Sequence, residues 1–142
     1  MLVGPVSAGA TSQTLSPSEA TLLRAVNGVR TSHALPPLRV DRRLVRAARA
    51  HTADMLGHGY FAHGSLTGRM LASHVRGPVF GENIAWATDA QASSIVRLWL
   101  ASPPHRAVLL RPGFRRIGLG ARRGTFLGNS SATVVTADFA GR

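Results

Sequence analysis

The stretch HGSLTGRMLASHVRGPVFGENIAW, residues 63–86, organises this chain. It places Glu82 inside an otherwise apolar run, in a sequence of 142 residues with only six acidic residues. A carboxylate in such a run is expected to be buried, and a buried carboxylate needs a charge or a hydrogen-bond partner. His63 at the start of the stretch and His105 in the later segment SPPHR, residues 102–106, are the predicted partners.

Length and composition predict one folded domain. A chain of 142 residues has a single-domain length, and its 44% hydrophobic content is ordinary for a globular protein. No apolar run approaches the ~18 residues that a membrane-spanning helix needs, so no such helix is predicted. Cysteine is absent, which excludes disulfides and thiolate metal sites and leaves the redox compartment open.

The charge of the chain is strongly positive. All 17 basic residues are Arg, and the formal net charge is +11. A surface of this sign is expected to associate with an anionic cell-wall polymer or with lipid head groups in a salt-sensitive way. The arginines are spread along the chain without the interleaved aromatic residues of a single-strand platform, so nucleic acid is not expected as a specific partner.

Residues 1–16 differ in composition from the rest of the chain. They are small, rich in Gly, Ser and Thr, and carry no charged side chain. We expect either a disordered leader or the remnant of a signal peptide, for which Ala8-Gly9-Ala10 has the small-x-small form of a cleavage site. Residues 17–142 are predicted to form the folded domain.

Capping residues and a 3.6-residue spacing of apolar positions predict a series of helices. Ser16 and Glu19 can form a capping box around Pro17 at the first helical position. Asp41 and Asp89 can each cap a later helix. The predicted helices run over residues 17–32, 42–57, 67–73 and 90–101, with Pro103-Pro104 ending the last of these and one or two further turns over residues 105–110.

The second predicted helix carries a histidine on its apolar stripe. His51 falls on the same face as Leu44, Ala47, Ala48 and Met55. A histidine in such a place is more often a hydrogen-bonded core residue than a ligand. We therefore interpret His51 as structural.

Three strands are predicted, over residues 79–87, 116–122 and 132–139, and the last two follow a change from helical spacing to short extended segments. Residues 128–130, Gly-Asn-Ser, connect them. Helices followed by strands of this kind favour an α+β domain, with a small antiparallel sheet covered by helices.

Eight short motifs follow one another from Asn27 to Gly120, within a resemblance that covers about Leu22 to Phe139. In this order and spacing they resemble the bacterial branch of the CAP superfamily, which groups cysteine-rich secretory proteins, antigen 5 and pathogenesis-related 1 proteins, and whose bacterial members are called SCP-domain proteins. The motifs are Asn27-x-x-Arg30, Leu35-Pro-Pro-Leu38, Asp41-x-x-Leu44, Ala47-Ala48-x-x-His51-x-x-Asp54-Met55, Tyr60-Phe61-x-His63, Gly81-Glu82-Asn83-Ile84-Ala85, Trp99-x-x-Ser102-x-x-His105-Arg106 and Ile117-Gly118-x-Gly120.

The resemblance implies a three-layer α-β-α sandwich, normally extracellular, with a central cavity lined by two His and one or two Glu. Matched by motif, His63, Glu82 and His105 would occupy that cavity. Eukaryotic members carry a second Glu three residues after a helix Trp. The same spacing from Trp99 reaches Ser102 here, as is usual for the bacterial branch, so a set of two His and two Glu is not expected.

Two interpretations of the three cavity residues remain open. Two imidazoles and one carboxylate are a recognised ligand set for Zn²⁺ or another divalent transition metal, so His63, His105 and Glu82 are candidate ligands. They are far apart in sequence, however, and no His-Glu-x-x-His helix pre-positions them. The alternative is a hydrogen-bonded polar cluster that ties the strand at Glu82 to two loops.

The resemblance favours a secreted, non-catalytic binding or effector module, since lipid binding, signalling and defence recur in the family. A groove made by helix residues with Phe80, Trp86 or Trp99 would hold a lipid or another small apolar ligand. The alternative is a protease-like or cell-wall-directed hydrolase with Ser102 as nucleophile, His105 as base and Glu82 as orienting group. No nucleophile elbow surrounds Ser102, which weighs against this alternative.

Overall fold

The computed structural model describes residues 15–88 and 91–141. Five helices and two of the strands make up the first part of the described chain, and a long hairpin of two strands ends it. The elements are α1 (Pro17–Ser32), β1 (Arg39–Val40), α2 (Arg42–His58), α3 (Leu66–Ala72), β2 (Phe80–Thr88), α4 (Ala92–Ala101), α5 (Pro103–Leu109), β3 (Phe114–Phe126) and β4 (Asn129–Gly141).

The strands form one sheet in the order β1-β3-β4-β2. β4 pairs antiparallel with both β2 and β3, as the sequence predicts. β1, however, pairs parallel with β3 through Arg39 with Arg116 and Val40 with Ile117, so the sheet is mixed and not purely antiparallel. A two-residue strand is too short for an alternating pattern to reveal it.

Helices cover both faces of the sheet, which confirms the three-layer α-β-α architecture. Along β4, Val135, Ala137 and Phe139 pack into the core that α1 and α4 share. Val134 and Ala140 turn the other way, into cores formed with α2 and α3. This alternation follows from the two-residue period of a strand. Within residues 15–88 and 91–141 no helix is both long and apolar enough to cross a membrane.

α1 has the predicted bounds, and its capping box is present. Ser16 Oγ accepts a hydrogen bond from Glu19 N at 3.1 Å, and Ser16 N donates to Glu19 Oε2 at 2.9 Å. Near the other end of the helix, the guanidinium of Arg30 is fully buried and donates to main-chain carbonyls, including that of Leu109 at 3.0 Å and that of Phe114 at 3.2 Å. These bonds tie α1 to α5 and β3.

α2 lies directly against β3, and glycines make this possible. A Cβ atom added to Gly118 would come within 2.0 Å of the main chain at Leu44, and one added to Gly120 within 2.7 Å of Ala48 O. The predicted apolar stripe of α2 is buried throughout, including His51. The helix ends one residue later than predicted, at His58, followed by Gly59 in the left-handed conformation with φ 65°.

Several predicted bounds need correction. α3 begins at Leu66, one residue earlier than predicted, because Ser65 caps it, and β3 and β4 extend beyond the predicted strands at both ends. α4 begins at Ala92 with Gln91 at its N-cap, whereas the predicted cap Asp89 lies outside the described residues, as do residues 1–14. Pro103-Pro104 ends α4 as expected but also opens α5, where the missing N–H of a proline costs nothing.

Candidate functional site

The edge strand β2 divides the predicted site residues into two groups. Glu82 and Asn83 are consecutive in β2, so their side chains point to opposite faces of the sheet. Glu82 faces the layer of α2 and α3 and meets His63. Asn83 faces the other layer, where its Nδ2 donates to His105 O at 2.9 Å.

Both oxygens of the buried Glu82 carboxylate have hydrogen-bond partners. Its side chain is 1% exposed, and His63 Nδ1 lies 2.7 Å from its Oε1. Arg69 donates through Nη2 to the other oxygen, Oε2, and through Nη1 to His63 O at 2.6 Å. α3, capped by Ser65, therefore holds the arginine that fixes both the carboxylate and the loop carrying His63.

Asp138 is a member of this cluster that the sequence analysis missed. It stands opposite Glu82 in the register of β2 and β4 and is completely buried. No N–H or O–H group of the described residues donates to either of its oxygens. Burial, together with the adjacent Glu82, raises the pKa of Asp138 well above its ordinary value. Asp138 therefore keeps its proton to a higher pH than an exposed aspartate does, and while protonated it can donate a hydrogen bond to Glu82.

Glu82 stays ionised in the same surroundings. Burial acts to raise its pKa, but hydrogen bonds from Asp138 and His63 and the charge of Arg69 lower the pKa below its ordinary value overall. Of the two neighbouring carboxyl groups, Asp138 is thus the one that holds a proton and Glu82 is the one that carries the negative charge. A lone acid within the apolar run TVVTADF, residues 133–139, was the available signal, and it is the same signal that identified Glu82.

His51 supports the cluster from α2. Its Nε2 lies 2.8 Å from Ala62 O and 3.9 Å from Glu82 Oε1. Burial lowers the pKa of His51, and the positive charge of Arg69 lowers it further. A neutral imidazole that donates to Ala62 O holds the loop before His63 in place, which confirms the structural interpretation of His51.

Ser102 and His105 form a separate pair at the junction of α4 and α5. Ser102 Oγ lies 2.8 Å from His105 Nδ1, and both residues are partly exposed. Burial lowers the pKa of His105, and the nearby His63 lowers it further. The neutral ring can accept the serine proton, as a general base would. Glu82, however, bonds to His63 and Arg69 and not to His105.

The described residues do not assemble a metal site. Residues 15–88 and 91–141 contain no group of three or more His, Cys, Asp or Glu side chains placed to hold one ion. Both oxygens of Glu82 already accept hydrogen bonds, and the guanidinium of Arg69 beside it would oppose a dication. The zinc site stays a prediction, and no step below passes through a metal.

A groove opens between α1 and α4 over the sheet. Its volume is about 440 Å³, and Leu22, Ile95 and Val135 form its apolar floor. The other lining residues are Pro17, Ser18, Thr21, Gln91, Ala92, Ala121, Arg122, Arg123 and Thr133. A second hollow of about 480 Å³, towards α2, shares Ala121 and Arg122 with it.

The aromatic residues expected in a groove lie elsewhere. Trp99 is 1% exposed in the core, where its Nε1 donates to Ile84 O at 3.0 Å. Trp86 packs edge-on against Phe126, with ring centroids 5.5 Å apart, on the opposite face of the sheet. Phe80 packs beside α2 and α3. None of the three expected aromatic residues lines the groove between α1 and α4.

Comparison with known proteins identifies the family. The family described as CAP, cysteine-rich secretory protein family, matches residues 23–139. This chain belongs to the CAP family. Its relatives include two proteins of Bacillus subtilis (strain 168), the uncharacterized membrane protein YlbC, 34% identical, and the uncharacterized protein YkwD, 33% identical, each over 75% of this chain.

A solved structure supports the same fold. The CAP chain superposes on an extracellular protein containing a SCP domain from Bacillus anthracis with a TM-score of 0.74, at 26% identity and over 91% of its length. The match covers less than half the length of each of these three proteins: 32% of YlbC, 43% of YkwD and 45% of the B. anthracis chain.

Proposed function

We propose that this CAP domain is an extracellular binding module that holds an anionic amphiphile, such as a fatty acid, in the groove between α1 and α4. The observation that carries the proposal is the groove itself, which has an apolar floor and two arginines, Arg122 and Arg123, among its lining residues. Its volume of about 440 Å³ falls in the range of small-molecule sites, ~300–1,000 Å³.

The floor of the groove suits an alkyl chain. Leu22, Ile95 and Val135 belong to the core shared by α1, α4 and the sheet, so the floor is rigid before any ligand arrives. Each methylene group transferred from water to such a surface contributes about 0.8 kcal/mol. A preformed apolar floor avoids much of the ordering that binding would otherwise require.

The end of the groove suits a carboxylate or phosphate head group. Arg122 is exposed and lines both the groove and the adjoining hollow, so a positive charge borders the space that an alkyl chain would occupy. A guanidinium can donate two parallel hydrogen bonds to such an anion. The arrangement favours an anionic amphiphile over a neutral sterol.

Extracellular action is part of the proposal. The B. anthracis protein, which shares the fold at 26% identity, is an extracellular protein. Secretion would also place the anionic partners predicted from the net charge of +11 within reach of the domain.

Titration with a fluorescent fatty acid tests the proposal. We expect saturable binding that Ala92→Trp, which fills the groove at the start of α4, reduces at least tenfold. Arg122→Glu should weaken binding of the fatty acid but not of the corresponding fatty alcohol. The matched control is Arg97→Glu on the exposed side of α4, which should leave both affinities unchanged. Equal affinity in Ala92→Trp and the parent would refute the groove as the site.

A hydrolase is the second candidate, and the 2.8 Å contact between Ser102 Oγ and His105 Nδ1 favours it. A serine and a neutral imidazole at this distance can form a nucleophile and base pair. The test is turnover of a soluble ester, labelled casein and peptidoglycan by the parent and by Ser102→Ala. Turnover lost in Ser102→Ala would establish catalysis, and no turnover in the parent would leave binding as the function.

A further inference from the structure

Five arginines surround two adjoining hollows on the surface formed by β1, the start of α2 and the segment after α3. The larger hollow, about 570 Å³, is lined chiefly by arginines of β1 and α2, and the smaller, about 400 Å³, by residues of α2 and of the segment that follows α3. Arg43 lines both, so the two hollows adjoin at this residue. We call this surface the basic face and define it by Arg39, Arg42, Arg43, Arg46 and Arg76.

The charge of the basic face is not compensated within the described residues. No carboxylate of residues 15–88 or 91–141 forms an ion pair with any of its five arginines. The acid in their midst, Asp41, accepts from Arg43 N at 2.8 Å to cap α2, and its other oxygen receives Arg116 Nη1 at 2.5 Å. Arg116 thus cancels the charge of Asp41, and the five guanidinium groups remain.

The basic face also contradicts a local rule of helix stability. Arg42 and Arg43 are the first two residues of α2, and its first turn contains no acidic residue. The positive end of the helix dipole disfavours cations there, and neighbouring arginines repel one another. The Asp41 cap offsets only part of this cost, and a local departure of this kind is typical of a functional surface.

We propose that the basic face binds a linear polymer of phosphodiester units without bases, such as poly(glycerol phosphate). Two adjoining concave hollows fit a chain that lies across them better than the plane of a bilayer. Guanidinium groups bind phosphate through paired donors. Among the described residues no Phe, Tyr or Trp lines either hollow, so this face lacks the row of large aromatic rings on which successive bases stack. This proposal uses no residue of the groove between α1 and α4 and stands apart from the fatty-acid proposal.

The test is the affinity of the domain for poly(glycerol phosphate), measured by calorimetry at several salt concentrations. Arg42→Gln/Arg46→Gln removes two exposed charges from the basic face, and Arg24→Gln/Arg97→Gln removes two exposed charges elsewhere as the matched control. The slope of log K against log salt is negative, and each lost phosphate contact should make it shallower by roughly 0.7–0.9. We expect the slope of the first variant to be shallower by about 1.5, with at least a tenfold loss of affinity. The affinity of the control should stay within twofold of that of the parent.

Three outcomes would overturn the proposal. Equal losses in the two double variants would mean that only net charge matters. Tighter binding of a single-stranded oligonucleotide of equal phosphate number would assign the face to nucleic acid. Binding to phosphatidylglycerol vesicles but not to the polymer, weakened by Leu71→Ser, would assign it to a membrane, because Leu71 is 72% exposed beside the smaller hollow. An unchanged urea midpoint of Arg42→Gln/Arg46→Gln relative to the parent confirms folding and keeps this test independent of the groove.

Discussion

The two faces of the sheet are buried by different chemistry. The face beneath α1, α4 and α5 is filled by apolar side chains such as Ile95, Trp99 and Phe139. The face beneath α2 and α3 also buries Glu82 and Asp138. On the first face, the buried guanidinium of Arg30 donates only to main-chain carbonyls, and part of the apolar surface remains open as the groove. On the second, the buried carboxylate of Glu82 depends on other side chains, which pair with both of its oxygens.

The largest expected effect lies on the apolar face. Trp99→Ala should lower the free energy of unfolding by about 3–5 kcal/mol, because it removes the largest fully buried side chain and the bond from its Nε1 to Ile84 O. Leu98→Ala, at a half-exposed position of the same helix, is the control and should change stability little. Urea denaturation measures both. A parent-like midpoint for Trp99→Ala, together with lost fatty-acid binding, would place Trp99 in the groove and not in the core.

A smaller effect is expected on the polar face. Glu82→Ala should cost about 1–3 kcal/mol, because it leaves Arg69 and His63 without their acceptor. Glu82→Gln should cost less if hydrogen bonding matters more than charge. The chemical-denaturation midpoints of the two variants separate the contribution of hydrogen bonding from that of charge. An unchanged midpoint in both would show that the cluster does not stabilise the fold.

The sequence predicts most of the fold because the relevant signals are local. The bounds of α1 follow from Ser16, Pro17 and Glu19, which act within one turn, and the buried stripe of α2 follows from helical spacing alone. β1 was not predicted because a strand of two residues is too short to show alternating apolar and polar positions, and its parallel partner in β3 lies 77 positions away in the chain.

The candidate site was less predictable because it depends on strand register. Glu82 was found from its apolar surroundings, but its pairing with Asp138 depends on how β2 aligns with β4 across 56 residues. The bond from Arg69 to Glu82 could not be predicted either, because it depends on where α3 packs. Sequence reasoning identified His63 and His105 by motif, yet it could not show that Glu82 bonds to His63 while His105 bonds to Ser102.

The third prediction concerns the proton on Asp138. Because its folded pKa is raised above the unfolded value of about 3.9, it stabilises the fold fully below that pH, and this contribution is lost as pH rises through the folded pKa. Asp138→Asn keeps a neutral donor towards Glu82 and does not titrate. The stability of Asp138→Asn relative to the parent should therefore rise by about 1.4 kcal/mol per pH unit above pH ~4 until the folded pKa is reached.

Denaturation at several pH values between 4 and 8 provides the measurement. Glu82 has the opposite dependence, since its lowered pKa gives stability that is lost as pH falls, and it remains in both proteins. Asp54→Asn, an exposed carboxylate on α2, is the control for removing one acid. A difference between Asp138→Asn and the parent that does not vary with pH would contradict the protonated state of Asp138.

The smallest expected effect is that of Zn²⁺ on stability. A zinc ion at His63 would have to displace the bond from Nδ1 to Glu82 and lie near Arg69, so binding should be weak. At ~0.1 mM Zn²⁺ we expect a stabilisation below about 1 kcal/mol, falling between pH ~7.5 and ~5.5 because a histidine must be neutral to coordinate. Thermal denaturation with and without Zn²⁺ measures it, with His63→Ala/His105→Ala as the variant and His58→Ala, at an exposed position, as the control. A large stabilisation that is lost only in the double variant would show that the polar face rearranges into a metal site, and the pairing of Glu82 with His63 and Arg69 would then not be its stable arrangement.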